Sequence, residues 1–147
     1  MPFCTPKAGA GSGWTLPATR NDPNVPVRVT IVEDDSVIRN LLKWKLTAMG
    51  YQVAGETDTG EEAIDLAGIE NPDLILMDIA LAGEMDGIRA AWLIKEKYAI
   101  NSIFVSGFSD QATLNRAWSI NPAGFVPKPI DDVHLHLTIE LASARAR

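Results

Sequence analysis

Residues 74–78 read Leu-Ile-Leu-Met-Asp, four large apolar side chains in succession and then an acid. The run has no alternation of apolar and polar positions, is bounded upstream by Asn71-Pro72, and is too short for a helix. It predicts a strand covered on both faces, as in a parallel sheet with helices on either side. Asp78 then falls at the rim of a buried strand, where an ionised carboxylate costs free energy unless a cation or donor compensates it. Three further runs end on a chemically useful residue. Val29-Thr30-Ile31-Val32 leads to Glu33 and Asp34, Ile103-Phe104-Val105 to Ser106, and Gly124-Phe125-Val126-Pro127 to Lys128. Open α/β sheets bind ligands outside the carboxyl ends of their strands. The pattern therefore brings acids, a hydroxyl and a lysine to one edge, a set suited to a hard divalent cation and a phosphoryl group.

The intervening segments carry helix signals. Ser36 can cap a helix over 36–49 that Gly50 stops. After a weaker strand at 51–56, Thr59-Gly60-Glu61-Glu62 has capping-box spacing and opens a helix to Glu70, closed by Asn71-Pro72. Helices are also predicted over 87–98 and 110–120, the second closed by Asn121-Pro122. Pro127 removes a ladder donor, which places the strand at 124–127 on a sheet edge. Residues 131–146 are ambiguous. Val133, Leu135, Leu137, Ile139 and Leu141 alternate as in a strand, but the terminal alanines and arginines, and the need for a crossover partner, favour a helix. On that helix Val133, Leu137, Leu141 and Ala144 form one stripe, and Leu135, Ile139 and Ala142 a second on nearly the opposite side. One stripe is expected to pack on the sheet. The second, with Trp118, is expected in a partner-binding region, although Trp118 itself also reads as a core residue. The sum is an α/β fold of five strands and five helices.

The chain has 147 residues and a formal net charge of -6. That acidity disfavours direct nucleic-acid binding, because phosphates are repelled. No apolar run reaches the ~18 residues of a membrane span. The single cysteine, Cys4, allows no internal disulfide and makes no zinc pattern, which fits a reducing cytoplasm. Residues 1–26 are rich in proline and glycine and are expected to form a flexible extension, with Trp14 and Leu16 as the residues able to dock; residues 27–147 are expected to form the folded domain.

Glu33 and Asp34 can both turn toward the edge at a strand-to-loop junction. Two or three carboxylates from two strand ends meet the oxygen demand of Mg²⁺. Asp35 adds a third acid, expected to face solvent. Asp78 can act as a nucleophile toward phosphorus, and the resulting mixed anhydride needs metal, lysine and hydroxyl donors, for which Lys128 and Ser106 are available. Taken singly, the adjacent acids also fit a solvated loop, and Ser106 a strand-end turn. Pro127 and Pro129 stiffen the backbone around Lys128, and the Lys128-Pro129 bond could be cis.

With those residues in order, residues 27–146 resemble the receiver domain of bacterial two-component response regulators. The resemblance rests on Val-Glu-Asp-Asp at 32–35, Asp78 within Leu-Ile-Leu-Met-Asp-Ile, Met85-Asp86-Gly87, Ser106-Gly107, and Phe125-Val126-Pro127-Lys128-Pro129. It implies a flavodoxin-like doubly wound five-stranded parallel sheet of order 2-1-3-4-5. It implies Mg²⁺ held by Glu33, Asp34, Asp78 and the backbone carbonyl of Ala80. It makes Asp78 the phosphoacceptor, Lys128 the partner of the phosphoryl oxygens, and Ser106 and Phe125 the switch pair. Three departures stand out: Glu replaces Asp at 33, the loop over 79–86 is longer and lacks the usual proline, and Phe125 has no hydroxyl.

The function so implied is a stand-alone cytoplasmic phosphoacceptor, not an enzyme beyond self-catalysed phosphotransfer and autodephosphorylation. A sensor histidine kinase or histidine phosphotransfer protein would supply the phosphoryl group. A downstream protein, or a second copy, would read it at the face of helix 4, strand 5 and helix 5. A phosphorylation-independent scaffold has no need of all five polar residues. A small Mg²⁺-dependent aspartyl phosphatase would place a second Asp where Ala80 stands. A flavin site would need a loop without the repulsion of Glu33-Asp34-Asp35.

Overall fold

A computed structural model describes residues 24–107 and 110–146. The expectations for Cys4, Trp14, Leu16 and the rest of 1–23 fall outside the described residues. Five strands, β1 (Arg28–Val32), β2 (Gln52–Thr57), β3 (Leu74–Asp78), β4 (Asn101–Ser106) and β5 (Gly124–Pro127), alternate with five helices. The helices are α1 (Ser36–Ala48), α2 (Gly60–Glu70), α3 (Gly87–Tyr98), α4 (Gln111–Ser119) and α5 (Asp132–Ala146). All strand pairs are parallel, in the order β2-β1-β3-β4-β5, as predicted.

β3 is the middle strand and every one of its residues is buried. Two separate apolar layers explain its unbroken run. Leu74 and Leu76 point into a core shared with Leu42 and Leu46 of α1 and Leu135 and Ile139 of α5. Ile75 and Met77 point the other way, against Ala63 and Ala67 of α2, Ile94 of α3 and Ala117 of α4. The register sets Val32 beside Met77, Asp78 beside Val105 and Ser106 beside Pro127. The strand ends that carry chemistry are thus level. Among the described residues no helix is long and apolar enough to cross a membrane.

The caps differ from expectation in detail. Asp35, not Ser36, caps α1: its Oδ1 accepts from the Val37 amide at 2.9 Å. A carboxylate there also suits the positive end of the helix dipole. Thr59 caps α2 by accepting from the Glu62 amide at 3.2 Å. The return bond of the capping box is replaced, because Glu62 instead accepts from the Thr57 hydroxyl. Asn71 and Asn121 take left-handed conformations (φ 48° and 58°) ahead of Pro72 and Pro122, where their short polar side chains tolerate it.

Two expectations about the last elements are corrected. Residues 132–146 are helical, but Leu135, Ile139 and Ala142 are the buried stripe, while Val133, Leu137 and Leu141 face solvent. Periodicity alone could not choose between the stripes. Polar anchors fix the rotation: the Tyr51 hydroxyl donates to Glu140 at 2.6 Å, and Lys45 of α1 pairs with Asp132. Trp118 is exposed rather than core, because Ala117 takes the buried position of the short α4. The indole instead stacks on Phe125, centroids 6.0 Å apart.

Leu135→Ala is expected to cost about 2–5 kcal/mol by opening a cavity in the layer under α5. Ile69→Ala, on the solvent face of α2, should change stability by no more than ~0.5 kcal/mol. Urea unfolding of the two variants checks both.

Candidate functional site

The carboxyl edge of the sheet sets two of the predicted acids, Glu33 and Asp78, against one cation. Lys128 follows β5 directly, and its amide donates to the Ser106 carbonyl at 2.8 Å, which continues the β4–β5 ladder past Pro127. The Lys128-Pro129 peptide bond is cis. From this anchored backbone the ammonium reaches across the sheet edge. Nζ lies 2.9 Å from Glu33 Oε1 and 3.5 Å from Asp78 Oδ2. Both carboxylates are almost fully buried, at 1% and 4% exposed.

Glu33 continues β1, its amide donating to the Thr57 carbonyl at 3.0 Å. Its Oε2 accepts from the Asp35 amide at 3.1 Å, and its carbonyl accepts from Arg39 Nη1 at 2.6 Å. Asp34, past the end of β1, is exposed, yet its carboxylate stays beside those of Glu33 and Asp78. Its Oδ2 accepts from the Ala82 amide at 3.1 Å, which ties the β1 end to the loop after β3. Asp78 Oδ1 accepts from the Ala80 amide at 3.2 Å. Ser106 is buried at the end of β4, and Phe125 is half-buried in β5 under Trp118.

Sequence reasoning missed Arg39, and quoted Asp86 and Gly87 without giving either a role. Arg39 lies six residues after Glu33 and also donates to Glu56 at 3.2 Å; an arginine on the first turns of a helix, facing a neighbouring acidic strand, was the available signal. Asp86 caps α3 by accepting from the Arg89 amide at 2.8 Å, and also pairs with Arg116 of α4 at 3.0 Å. Gly87 is required sterically: a Cβ there would fall 1.9 Å from the Asp78 carbonyl oxygen. The Asp-Gly pair before a helix carried both signals.

Burial sets the protonation of this cluster. Burial and the adjoining Glu33 carboxylate push Asp78 up from 3.8 to about 7, against the pull of Lys128. Burial acts on Glu33 too, but hydrogen bonds from Lys128 and Asp78 and from the Asp35 amide outweigh it, and its carboxyl stays below the usual 4.5. The Lys128 ammonium is disfavoured by burial, yet its two acidic neighbours raise its pKa overall.

One carboxylate oxygen from each of Glu33, Asp34 and Asp78 lies within 4.8 Å of the others. The donor set is all oxygen, comes from two adjacent strand ends, and carries more negative charge than one lysine offsets. Those properties fit a hard divalent cation such as Mg²⁺. The same edge leaves a carboxylate, an ammonium and a hydroxyl at adjacent strand ends, the groups needed to form and stabilise an acyl phosphate.

In comparisons with known proteins, the response regulator receiver domain model matches residues 29–140. The transcriptional regulatory protein PdtaR of Mycobacterium tuberculosis is 37% identical over 133 residues, 90% of this chain. The chain spans 64% of PdtaR's length. The chemotaxis protein CheY of Thermotoga maritima is 38% identical over 106 residues, covering 69% of this chain and 85% of CheY. The signal receiver domain of a modulated diguanylate cyclase from Desulfovibrio desulfuricans superposes with a TM-score of 0.80 at 35% identity, over 83% of this chain and 97% of that one.

Between pH about 4 and 7 the folded state holds a proton on Asp78 that the unfolded chain has released. Stability should therefore fall as pH rises through that window and level off above it. Glu33 acts in the opposite sense, losing its contribution only as pH falls below 4.5. Asp78→Asn should abolish the decline and be the more stable protein at pH 8, by on the order of 2 kcal/mol. Urea midpoints measured in EDTA from pH 5 to 8 check it.

Proposed function

The chain belongs to the response regulator receiver domain family, and from that membership we propose that it accepts a phosphoryl group on Asp78. The donor is the phosphohistidine of a sensor histidine kinase or histidine phosphotransfer protein. The observation that carries this reading is the single lysine set between two buried carboxylates, 2.9 Å from Glu33 and 3.5 Å from Asp78. A scaffold gains nothing from burying two acids against one cation.

An Asp78 carboxylate oxygen attacks phosphorus in line. The phosphorus–nitrogen bond breaks, its electron pair returns to the imidazole nitrogen, and an acyl phosphate forms. Glu33, Asp34, Asp78 and the backbone carbonyl of Ala80 would hold Mg²⁺, which when bound offsets the charge on the phosphoryl oxygens. Lys128 already lies at Asp78 and needs only a small shift to reach a phosphoryl oxygen. Ser106, at the neighbouring strand end, supplies a hydroxyl to the same group. Phe125 is the residue through which a rearrangement at Ser106 and Lys128 reaches the surface, because Trp118 stacks on it and is itself exposed. A downstream protein reading α4 and β5 would meet that indole first. The added charge biases one packing of these elements over another, which is the means by which a local modification gains a distant readout.

Intact-protein mass after incubation with acetyl phosphate and Mg²⁺ tests the reading. One added phosphoryl group is expected, lost in EDTA and in Asp78→Asn. No adduct on a folded wild-type chain, with acetyl phosphate and with a phosphohistidine protein alike, would favour the scaffold. Separately, free Mg²⁺ at ten times its dissociation constant should add about 1.4 kcal/mol of stability. Asp34→Ala should lose most of that gain, read as the Mg²⁺-dependent rise in melting temperature.

A further inference from the structure

Two ties join α3 to α4: Asp86 pairs with Arg116, and Lys95 donates to the Ile120 carbonyl. Along that seam run two adjoining hollows, and Arg89 and Arg116 line both. The smaller, about 180 Å³, is lined also by Trp92, Ile88 and Ile120. The larger, about 330 Å³, reaches the β3–α3 loop and the start of α2, where Glu61, Glu84 and Asp86 line it. Arg89 and Trp92 are three residues apart on α3 and so share a face. The Arg89 guanidinium carbon lies 5.3 Å from the Trp92 ring centroid, which holds the cation against an aromatic surface. Trp92 nonetheless remains 40% exposed. Arg116 is already committed to Asp86 at 3.0 Å. Arg89, Glu61 and Glu84 make no ion pair among the described residues. The groove thus offers one uncommitted cation beside an apolar wall, and two uncommitted acids at its other end.

We propose that this groove binds an extended peptide segment of a partner protein. The segment sets an acid and an adjacent large apolar side chain against Arg89 and Trp92, and a basic residue toward Glu61 and Glu84. Charge selects this occupant. A nucleotide or nucleic acid carries only negative charge and would meet Glu61, Glu84 and Asp86 on a chain whose net charge is -6. A wholly basic segment would meet Arg89. A segment with one charge of each sign finds its complement at both ends, which also fixes its direction. The acid and the apolar side chain belong together because Arg89, Trp92 and Ile88 line the same hollow. Tryptophan and arginine side by side are also the residues on which binding energy concentrates.

The groove is separate from the α4 and β5 surface left to a downstream protein. Trp118 turns toward β5, where it stacks on Phe125, whereas Arg116 of the same helix turns toward α3. Nothing in the groove depends on Asp78 chemistry.

A displayed library of random linear peptides, selected on the immobilised 147-residue chain, tests the proposal. Enriched sequences are expected to carry an acid next to a large apolar residue, with a lysine or arginine to one side. Titration of an enriched peptide by fluorescence anisotropy should then show Kd raised on the order of tenfold or more in Arg89→Glu and in Trp92→Ala. Circular dichroism of both variants should match the wild type. Replacing the peptide's acid by lysine should abolish binding to the wild type and restore it in Arg89→Glu. Asp78→Asn and Trp118→Glu should bind as the wild type does. No enrichment over a selection without the chain overturns the proposal. Enriched peptides that bind Arg89→Glu and Trp92→Ala as tightly as the wild type overturn it too, as do peptides that lose affinity only in Trp118→Glu.

Discussion

Two carboxylates are buried at the end of a sheet and one lysine stands between them; the rest of the structure answers to that arrangement. Removing a carboxylate from water is costly unless charge and hydrogen bonds replace the lost solvent. Here the replacements come from every side. Lys128 supplies the charge, the Asp35 and Ala80 amides supply donors, and Arg39 holds the backbone of Glu33. The compensation is incomplete, since Asp78 still sits near 7. A core that leaves one acid under-compensated is primed for whatever brings more positive charge to it. The receiver family membership gives that imbalance a use.

The helices serve the same end. Asp35 starts α1 at the point where β1 has finished delivering Glu33 and Asp34, so the capping acid and the site acids follow one another in the chain. Gly87 lets α3 begin against the backbone of Asp78, and Asp86 just before it both caps that helix and holds Arg116 of α4. The loop beyond β3 is tied to Asp34 on one side and to α4 on the other.

How much of this could be read beforehand depended on what each signal encodes. The order of elements and the edge on which Glu33, Asp78, Ser106 and Lys128 meet were legible, because apolar runs and strand-end residues are local patterns and parallel topology aligns their ends. The rotation of α5 was not. Val133, Leu137 and Leu141 are as apolar as Leu135, Ile139 and Ala142, and the choice lies in Tyr51 and Lys45, more than eighty residues away. The exposure of Trp118 was likewise set by its neighbour Ala117 and not by its own hydrophobicity. The capping acid at Asp35 was visible as an acid but was read as one more solvent-facing charge.

The short helix α4 has a consequence of its own. It buries one residue fully, Ala117, and is otherwise held from its edges. Arg116 grips Asp86, the Trp118 ring lies on Phe125, and Lys95 of α3 donates to the carbonyls of Ile120 and Asn121 at 3.2 Å just past its end. Local opening is cheapest where few apolar contacts must be broken. The amides of α4 should therefore exchange with solvent through fluctuations that leave β3 and its neighbours closed. The segment beside the proposed phosphoryl site is thus also the one whose order is least costly to change, and a signal can be carried as a change in local order as well as by a shift in position.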